Sequence, residues 1–131
     1  MALSNDGSIV AVGEWRTGSL RGQVRVFELT GGTWVQKGSS LIGEAVGDYF
    51  GGSVSLSSDG LTLAVGAPEN DGNGTSAGHV RVFTFSGGNW VQVTPDIDGA
   101  SANDLFGSAV ALSGNGAVVT VGAPTDTNLG G

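Results

Sequence analysis

Oxygen-bearing side chains are concentrated in two loops of the sequence, where they could bind a cation or a sugar. The first loop holds Asn70, Asp71 and Asn73, and the second holds Asp96-Ile97-Asp98-Gly99, followed by Asp104. Carboxylate and amide oxygens coordinate hard cations and also form hydrogen bonds with hydroxyl groups. Asn, Asp and Gly equally build turns through bonds to their own backbone. Both loops therefore have a second interpretation as polar turns, and we name Asn70, Asp71 and Asn73 as candidate ligand-binding residues.

His79 is the only histidine of the chain, and cysteine is absent. No Ser, Cys or metal-binding partner stands at motif spacing from His79. Nucleophilic catalysis needs a nucleophile within reach of its base, and a zinc site needs several His, Cys or carboxylate ligands. The sequence therefore predicts no catalytic residue and no metal site.

The composition describes an acidic, glycine-rich chain. Its net charge is −7, only five residues are Lys or Arg, and 25 of the 131 residues are glycine. Phosphate binding needs clustered basic side chains, so a nucleic-acid partner is excluded. No apolar run approaches the roughly 20 residues that span a bilayer. The glycine content and the scarcity of helix-forming runs indicate many short strands joined by tight turns.

The sequence repeats at an interval of 56 residues. Residues 48–68, DYFGGSVSLSSDGLTLAVGAP, recur as residues 104–124, DLFGSAVALSGNGAVVTVGAP. The match extends to Arg-Val-Phe and Trp-Val-Gln triplets at the same offset. A fixed period indicates repeated supersecondary units, of which the chain contains about two and a third. We expect a single array with a partial first unit at residues 1–47, a full unit at 48–103 and a partial unit at 104–131.

Each full unit is predicted to form four antiparallel strands. Asp-Gly and Asn-Gly turns between short apolar runs are strong hairpin signals. The expected strands are residues 53–57 and 109–112 (first), 9–12, 61–65 and 117–121 (second), 23–29 and 79–85 (third), and 34–36 and 90–93 (fourth). The segments 37–47 and 94–103 are expected to be linkers.

The side chains of the second strand alternate between large and small residues. Leu61, Leu63 and Val65 point to one side, and Thr62, Ala64 and Gly66 point to the other. Packing the bulky side of one sheet on the slim side of the next fills space without voids, as in a ring of blades. The sequence therefore predicts an all-β fold of β-propeller blades, in an incomplete propeller.

Trp15 is the aromatic candidate for a ligand contact. It lies in the one connection that changes length between repeats, residues 14–22 against 69–78. Variable loops on a constant framework often carry function. Trp34 and Trp90 recur at equivalent positions, which indicates a packing role for both.

The repeated motif resembles the FG-GAP repeat family, the propeller blades of integrin α chains and of many large secreted or surface proteins. The resemblance rests on the Phe-Gly and Gly-Ala-Pro positions: Phe50, Gly51, Gly66, Ala67, Pro68, Phe106, Gly107, Gly122, Ala123 and Pro124. In the first copy Gly13-Glu14-Trp15 stands where Gly-Ala-Pro is expected. Integrin-like blades carry a calcium loop between the first two strands. Here that connection is only Ser57-Ser58-Asp59-Gly60 or its counterpart, too short to supply six or more oxygen ligands, so no cofactor is expected.

The resemblance implies an extracellular or cell-surface, non-catalytic module for recognition, adhesion or structural assembly. Two alternatives remain open: a carbohydrate-binding propeller fragment, and the non-catalytic part of a larger secreted enzyme. The protein or glycan ligand is not identified by the sequence. An incomplete ring exposes sheet faces and strand edges. We therefore expect the blades to be completed by self-association or by further repeats of a longer chain.

Overall fold

Twelve short strands form three consecutive antiparallel sheets within residues 1–125, the part of the chain that the computed structural model describes. This nearly all-β architecture confirms the predicted propeller blades. The predicted final unit, 104–131, extends over residues 126–131, which lie outside the described residues.

Sheet 1 contains β1 (Ala2–Leu3), β2 (Ile9–Glu14), β3 (Gln23–Thr30), β4 (Thr33–Gln36) and β5 (Leu41–Ile42). Its strand order is β1-β2-β3-β4, and β5 also pairs with β3. A four-residue helical segment, α1 (Thr17–Leu20), lies in the connection between β2 and β3. Gly18 and Ser19 adopt left-handed conformations within it, so α1 is a tight reversal of the chain rather than a regular helix.

Sheet 2 repeats this arrangement with β6 (Ser53–Leu56), β7 (Thr62–Ala67), β8 (His79–Ser86), β9 (Asn89–Gln92) and β10 (Ile97–Asp98). Its order is β6-β7-β8, with both β9 and β10 paired to β8. Sheet 3 contains β11 (Ala109–Leu112) and β12 (Val119–Gly122). Every pairing within the sheets is antiparallel.

The four predicted strands of a unit are present, and the structure adds a short fifth strand. β5 and β10 lie within segments 37–47 and 94–103, which were expected to be linkers. Each pairs with the first two residues of the third strand, while the fourth strand pairs with its last four. The fourth and fifth strands of each sheet therefore lie along the same side of the third strand, one at each of its ends. Two-residue strands carry too little alternation to be recognised in a sequence.

The expected nesting of bulky and slim faces is confirmed at both junctions. The slim face of sheet 1 packs against the bulky face of sheet 2; the buried residues are Ile9, Ala11, Val24 and Val26 from sheet 1, and Leu56, Leu63, Val65, Phe83 and Trp90 from sheet 2. At the next junction, Ala64, Val80 and Val82 of sheet 2 receive the bulky face of sheet 3. Leu61 departs from the predicted pattern, because it precedes β7 and is 40% exposed.

The Phe-Gly and Gly-Ala-Pro motifs meet across each junction. The Phe50 amide donates a hydrogen bond to the Arg21 carbonyl of sheet 1, and the Gly51 amide donates one to Gly66 of its own sheet. A Cβ atom at Gly13 would lie 2.0 Å from the Gly51 carbonyl oxygen, and one at Gly66 would lie 2.1 Å from that of Gly107. The motif glycine therefore allows the backbone of the next unit to approach, and a side chain there would separate the sheets.

The predicted hairpin turns are also joined from one sheet to the next. The Asn5 amide donates to the Ser58 carbonyl, and the Ser58 amide donates to the Gly114 carbonyl, each at 2.8 Å. Within the turns, the Ser57 hydroxyl donates to Asp59 and the Ser113 hydroxyl to Asn115. The bonds between neighbouring turns fix adjacent sheets in register at the turn between the first and second strands of each sheet.

Candidate functional site

An aromatic cleft lies where the connection after β2 meets the Phe-Gly loop of sheet 2. Trp15, Tyr49, Gly52 and Pro68 line this cleft, which has a volume of about 320 Å³. The rings of Trp15 and Tyr49 meet edge to face, with centroids 5.3 Å apart. Arg16 stacks its guanidinium 4.5 Å from the centre of the Trp15 ring on the same loop. Trp15 remains 36% exposed, so part of its indole is open to a ligand.

The aromatic pair is specific to the junction of sheets 1 and 2. At the next junction, Pro68 stands where Trp15 is, and Leu105 stands where Tyr49 is. The backbone geometry is nevertheless the same, because Tyr49 and Leu105 have φ values of 55° and 54°. Their amides donate equivalent hydrogen bonds to Leu20 and Ser76. The framework is therefore repeated while the side chains at the cleft are not.

The candidate residues of the oxygen-rich loop make bonds within the protein. Asn70 is buried, donates to Asp48 and Glu44, and accepts a bond from the Gly72 amide. Asp71 accepts a bond from the Ser76 amide, and Asn73 donates to the Gly99 carbonyl. These bonds account for the polar turn. The loop and Trp15 are not brought into one cavity, and ligand binding by Asn70, Asp71 and Asn73 stays a prediction.

A second polar cluster lies on the bulky side of sheet 2, at the start of β8. His79 is almost fully buried, and its Nδ1 lies 3.8 Å from a carboxylate oxygen of Asp96 and 3.8 Å from one of Asp98. Glu44, from the connection between sheets 1 and 2, completes a set whose ligand atoms with His79 and Asp96 lie within 4.8 Å of one another. We call Glu44, His79, Asp96 and Asp98 the His79 cluster.

Arg81 lies beside the His79 cluster and is also largely buried. Its Nη2 is 3.6 Å from Glu44, its Nε is 3.9 Å from Asp96, and its guanidinium lies over the Phe50 ring at 4.7 Å. Neither of these nitrogens has a hydrogen-bond partner among the described residues, nor does Nε2 of His79. A buried polar group without a partner is unusual. Arg81 therefore contacts Glu44 and Asp96 as opposite charges at distances longer than hydrogen bonds.

The protonation of the cluster follows from burial and from these charges. Burial, and then the positive charge of Arg81, lower the pKa of His79, although Asp96, Glu44 and Asp48 oppose the shift. The imidazole is therefore neutral near pH 7. Burial opposes ionisation of Asp96, but the hydrogen bond from Gln92 and the positive charge of Arg81 outweigh it. The pKa of Asp96 is thus lowered and its carboxyl is ionised.

Spacing along the chain does not reveal the His79 cluster, because its members come from three separate segments. Comparison of the repeats does single out these residues. The first unit has Gln23, Ser40 and Ile42 at the positions equivalent to His79, Asp96 and Asp98. The position equivalent to Glu44 in the second unit is Ala100. All four members of the cluster thus differ from their repeat counterparts.

Within residues 1–125, the structure contains no helix long and apolar enough to cross a membrane. No curated protein has a significant sequence match to the chain. The profile of the FG-GAP repeat matches residues 43–83 and 93–131, two copies that together cover more than half of the chain. Both copies begin in the connection that precedes a Phe-Gly pair, in agreement with the junction geometry above. The chain therefore belongs to the FG-GAP repeat family.

Proposed function

We propose that this chain is a non-catalytic, extracellular recognition module that binds a macromolecular partner through the loops of its propeller blades. The observation that supports the proposal is the cleft of Trp15 and Tyr49. Two aromatic rings stand at a junction whose repeat counterpart has Pro68 and Leu105, on an otherwise equivalent backbone. Packing alone does not require them, since the second junction forms without them. Exposed aromatic side chains at a loop cleft are typical anchors of binding sites.

Carbohydrate is the second ligand class that the cleft supports. Ligand sites combine apolar or aromatic walls with a few polar groups. Here the rings of Trp15 and Tyr49 supply the aromatic wall, and Arg16, stacked over the Trp15 ring, supplies a polar group. A sugar presents the matching combination of an apolar ring face and hydroxyl groups. Adhesion to a glycan and adhesion to a protein would use the same cleft.

A glycan array probed with the labelled chain, and surface plasmon resonance with candidate surface proteins, test the recognition proposal. Trp15→Pro and Tyr49→Leu introduce the residues of the second junction, so the backbone is expected to accept both. We expect each change to weaken binding at least about tenfold, as loss of a central aromatic contact does. Trp34→Ala removes another exposed indole, which lies on β4 and does not line the cleft. This variant is expected to leave binding unchanged.

Binding that survives both cleft substitutions would contradict the proposed recognition site.

Turnover of a substrate in a screen of hydrolase and oxidoreductase activities would contradict the non-catalytic assignment. The non-catalytic proposal is supported by the surroundings of His79. Its Nδ1 faces the carboxylates of Asp96 and Asp98, each at 3.8 Å, and no hydrogen bond joins His79 to a hydroxyl group among the described residues.

The open bulky face of sheet 1 supports a second kind of contact, with another FG-GAP unit. Leu3, Leu29 and Trp34 are 59%, 42% and 46% exposed, whereas their counterparts in sheet 2 face the core of the junction. We propose that the slim face of a further unit, from a longer chain or a second copy, covers them. Light scattering of this chain is expected to show a mass that rises with concentration. Trp34→Glu is expected to abolish that rise, and a monomer at all concentrations would contradict the proposed self-association.

A further inference from the structure

We propose that Glu44, His79, Asp96 and Asp98 bind one divalent transition-metal ion, of which Zn²⁺ is the best match. The proposal is independent of the recognition cleft, because none of the four residues lines it. The site would join the connection between sheets 1 and 2 to the outer edge of sheet 2. Its donors are one imidazole nitrogen and up to three carboxylate oxygens, a set that zinc accepts.

The distances around His79 suit a shared ion better than direct bonds. His79 and Asp98 are directly opposed residues of β8 and β10, so their side chains lie on one face of the sheet. The 3.8 Å from Nδ1 to each carboxylate is too long for a hydrogen bond. Two ligands of a tetrahedral Zn²⁺ ion lie about 3.3–3.6 Å apart, since each is about 2.0–2.2 Å from the metal, so each carboxylate would have to move a few tenths of an ångström toward His79. The ligand atoms of Glu44, His79 and Asp96 lie within 4.8 Å of one another, so the exposed Glu44 side chain would have to move inward to bind the same ion.

The buried imidazole is an independent indication of a ligand. Its side chain is 1% exposed, and its Nδ1 faces the carboxylates of Asp96 and Asp98 at 3.8 Å, beyond hydrogen-bond distance. A metal ion bound to Nδ1 would replace these long contacts by direct coordination, and Nε2 would then carry the ring proton.

Hydrogen bonds from outside the cluster orient the proposed ligands. Gln92 donates to Asp96 Oδ1 at 2.7 Å, and the other oxygen of Asp96 faces His79. Asn70 donates to Glu44 Oε2 at 3.3 Å. Such outer partners commonly fix metal-binding side chains. The three carboxylates also outnumber the single positive charge of Arg81, so the cluster retains a net negative charge that attracts a cation.

Imidazole in the donor set distinguishes the expected ion. Ca²⁺ and Mg²⁺ prefer sites made of oxygen ligands, whereas imidazole suits Zn²⁺ and its neighbours in the first transition row. This site also lies away from the hairpin turn between β6 and β7, which is too short to bind calcium. We therefore expect Zn²⁺ to bind more tightly than Ca²⁺.

Isothermal titration of the EDTA-treated full chain with ZnCl₂ tests the proposal. We expect one ion per chain, a higher unfolding temperature with zinc, and a zinc-induced shift of the His79 imidazole nitrogens in the NMR spectrum. His79→Gln introduces the residue found at position 23 of the first unit, and Asp98→Asn changes an exposed side chain. Each is expected to weaken zinc binding at least about tenfold.

Asp6→Asn is the matched control, because it removes one negative charge far from the cluster. Asn115 occupies the equivalent position of the third unit and accepts two of the three turn bonds that Asp6 accepts, so this variant is expected to fold and bind zinc normally. Zinc binding that is unchanged in both His79→Gln and Asp98→Asn would overturn the proposal. So would a failure of zinc to bind, or tighter binding of Ca²⁺ than of Zn²⁺.

Discussion

Replacing Gly66 with alanine is expected to destabilise the protein by about 2–3 kcal/mol or more. The new Cβ atom would lie 2.1 Å from the carbonyl oxygen of Gly107 and 2.4 Å from the hydroxyl of Ser53. The Gly107 oxygen belongs to the backbone of the next unit, so it cannot rotate away as a flexible side chain would. The two sheets would have to separate, which would open the core between Ala64, Val80 and sheet 3.

Gly122→Ala is the matched control for this experiment. Gly122 has the same place in the motif, but a Cβ atom there meets nothing closer than 3.4 Å, at Ala109 of its own sheet. We expect a change within about 1 kcal/mol in either direction, since alanine also restricts the unfolded chain. Urea unfolding of both variants measures the difference. Equal destabilisation by the two substitutions would show that contact with the next unit is not what requires glycine.

Trp90→Ala is expected to cost about 3–5 kcal/mol, the usual range for a large buried aromatic residue. Trp90 is 6% exposed, and its indole nitrogen donates a hydrogen bond to the Lys37 carbonyl at 2.8 Å. The ring also packs edge to face on Phe85, with centroids 5.3 Å apart. Lys37 belongs to the end of sheet 1, so this one side chain joins two sheets by both packing and hydrogen bonding.

Trp34→Ala provides the comparison within the same molecule. Trp34 has the same position in sheet 1 and pairs with Leu29, but it is 46% exposed. We expect a loss of about 1 kcal/mol or less, as for most exposed positions. Unfolding is followed at low micromolar concentration, where association through sheet 1 contributes least. If Trp34→Ala were as destabilising as Trp90→Ala, the face of sheet 1 could not be the open one.

Much of the fold follows from patterns that the sequence displays directly. The repeat interval places Phe50 and Phe106 at equivalent positions, and the alternation around Leu63 and Ala64 predicts which side of each sheet is bulky. Both patterns can be read from the order of residues alone, and both are confirmed. Equivalent residues still differ in burial, because Trp90 has a neighbouring sheet and Trp34 does not. A repeat in sequence therefore predicts conformation better than it predicts environment.

The candidate site was less predictable because its contacts join distant segments. The sequence shows that Trp15 does not recur in the second unit. Its partner Tyr49, however, lies beyond three intervening strands, and no spacing rule connects the two residues. The His79 cluster likewise depends on the short strand β10, which sets Asp98 opposite His79. Because β10 has only two residues, the sequence pattern predicts neither this strand nor the cluster that it positions. Asn70, in contrast, is a candidate ligand-binding residue by its position in a polar loop, but its side chain is buried within the protein.

Hydrogen exchange at the tryptophan indoles tests most directly whether each sheet packs its bulky face on the slim face of the sheet before it. The indole N–H of Trp90 is bonded to Lys37 across the first junction, whereas that of Trp34 lies on the open face of sheet 1. We predict that the Trp90 indole proton exchanges at least about tenfold more slowly than the Trp34 proton, because exchange requires the junction to open. Equally fast exchange of the two protons would contradict the stacked arrangement of sheets.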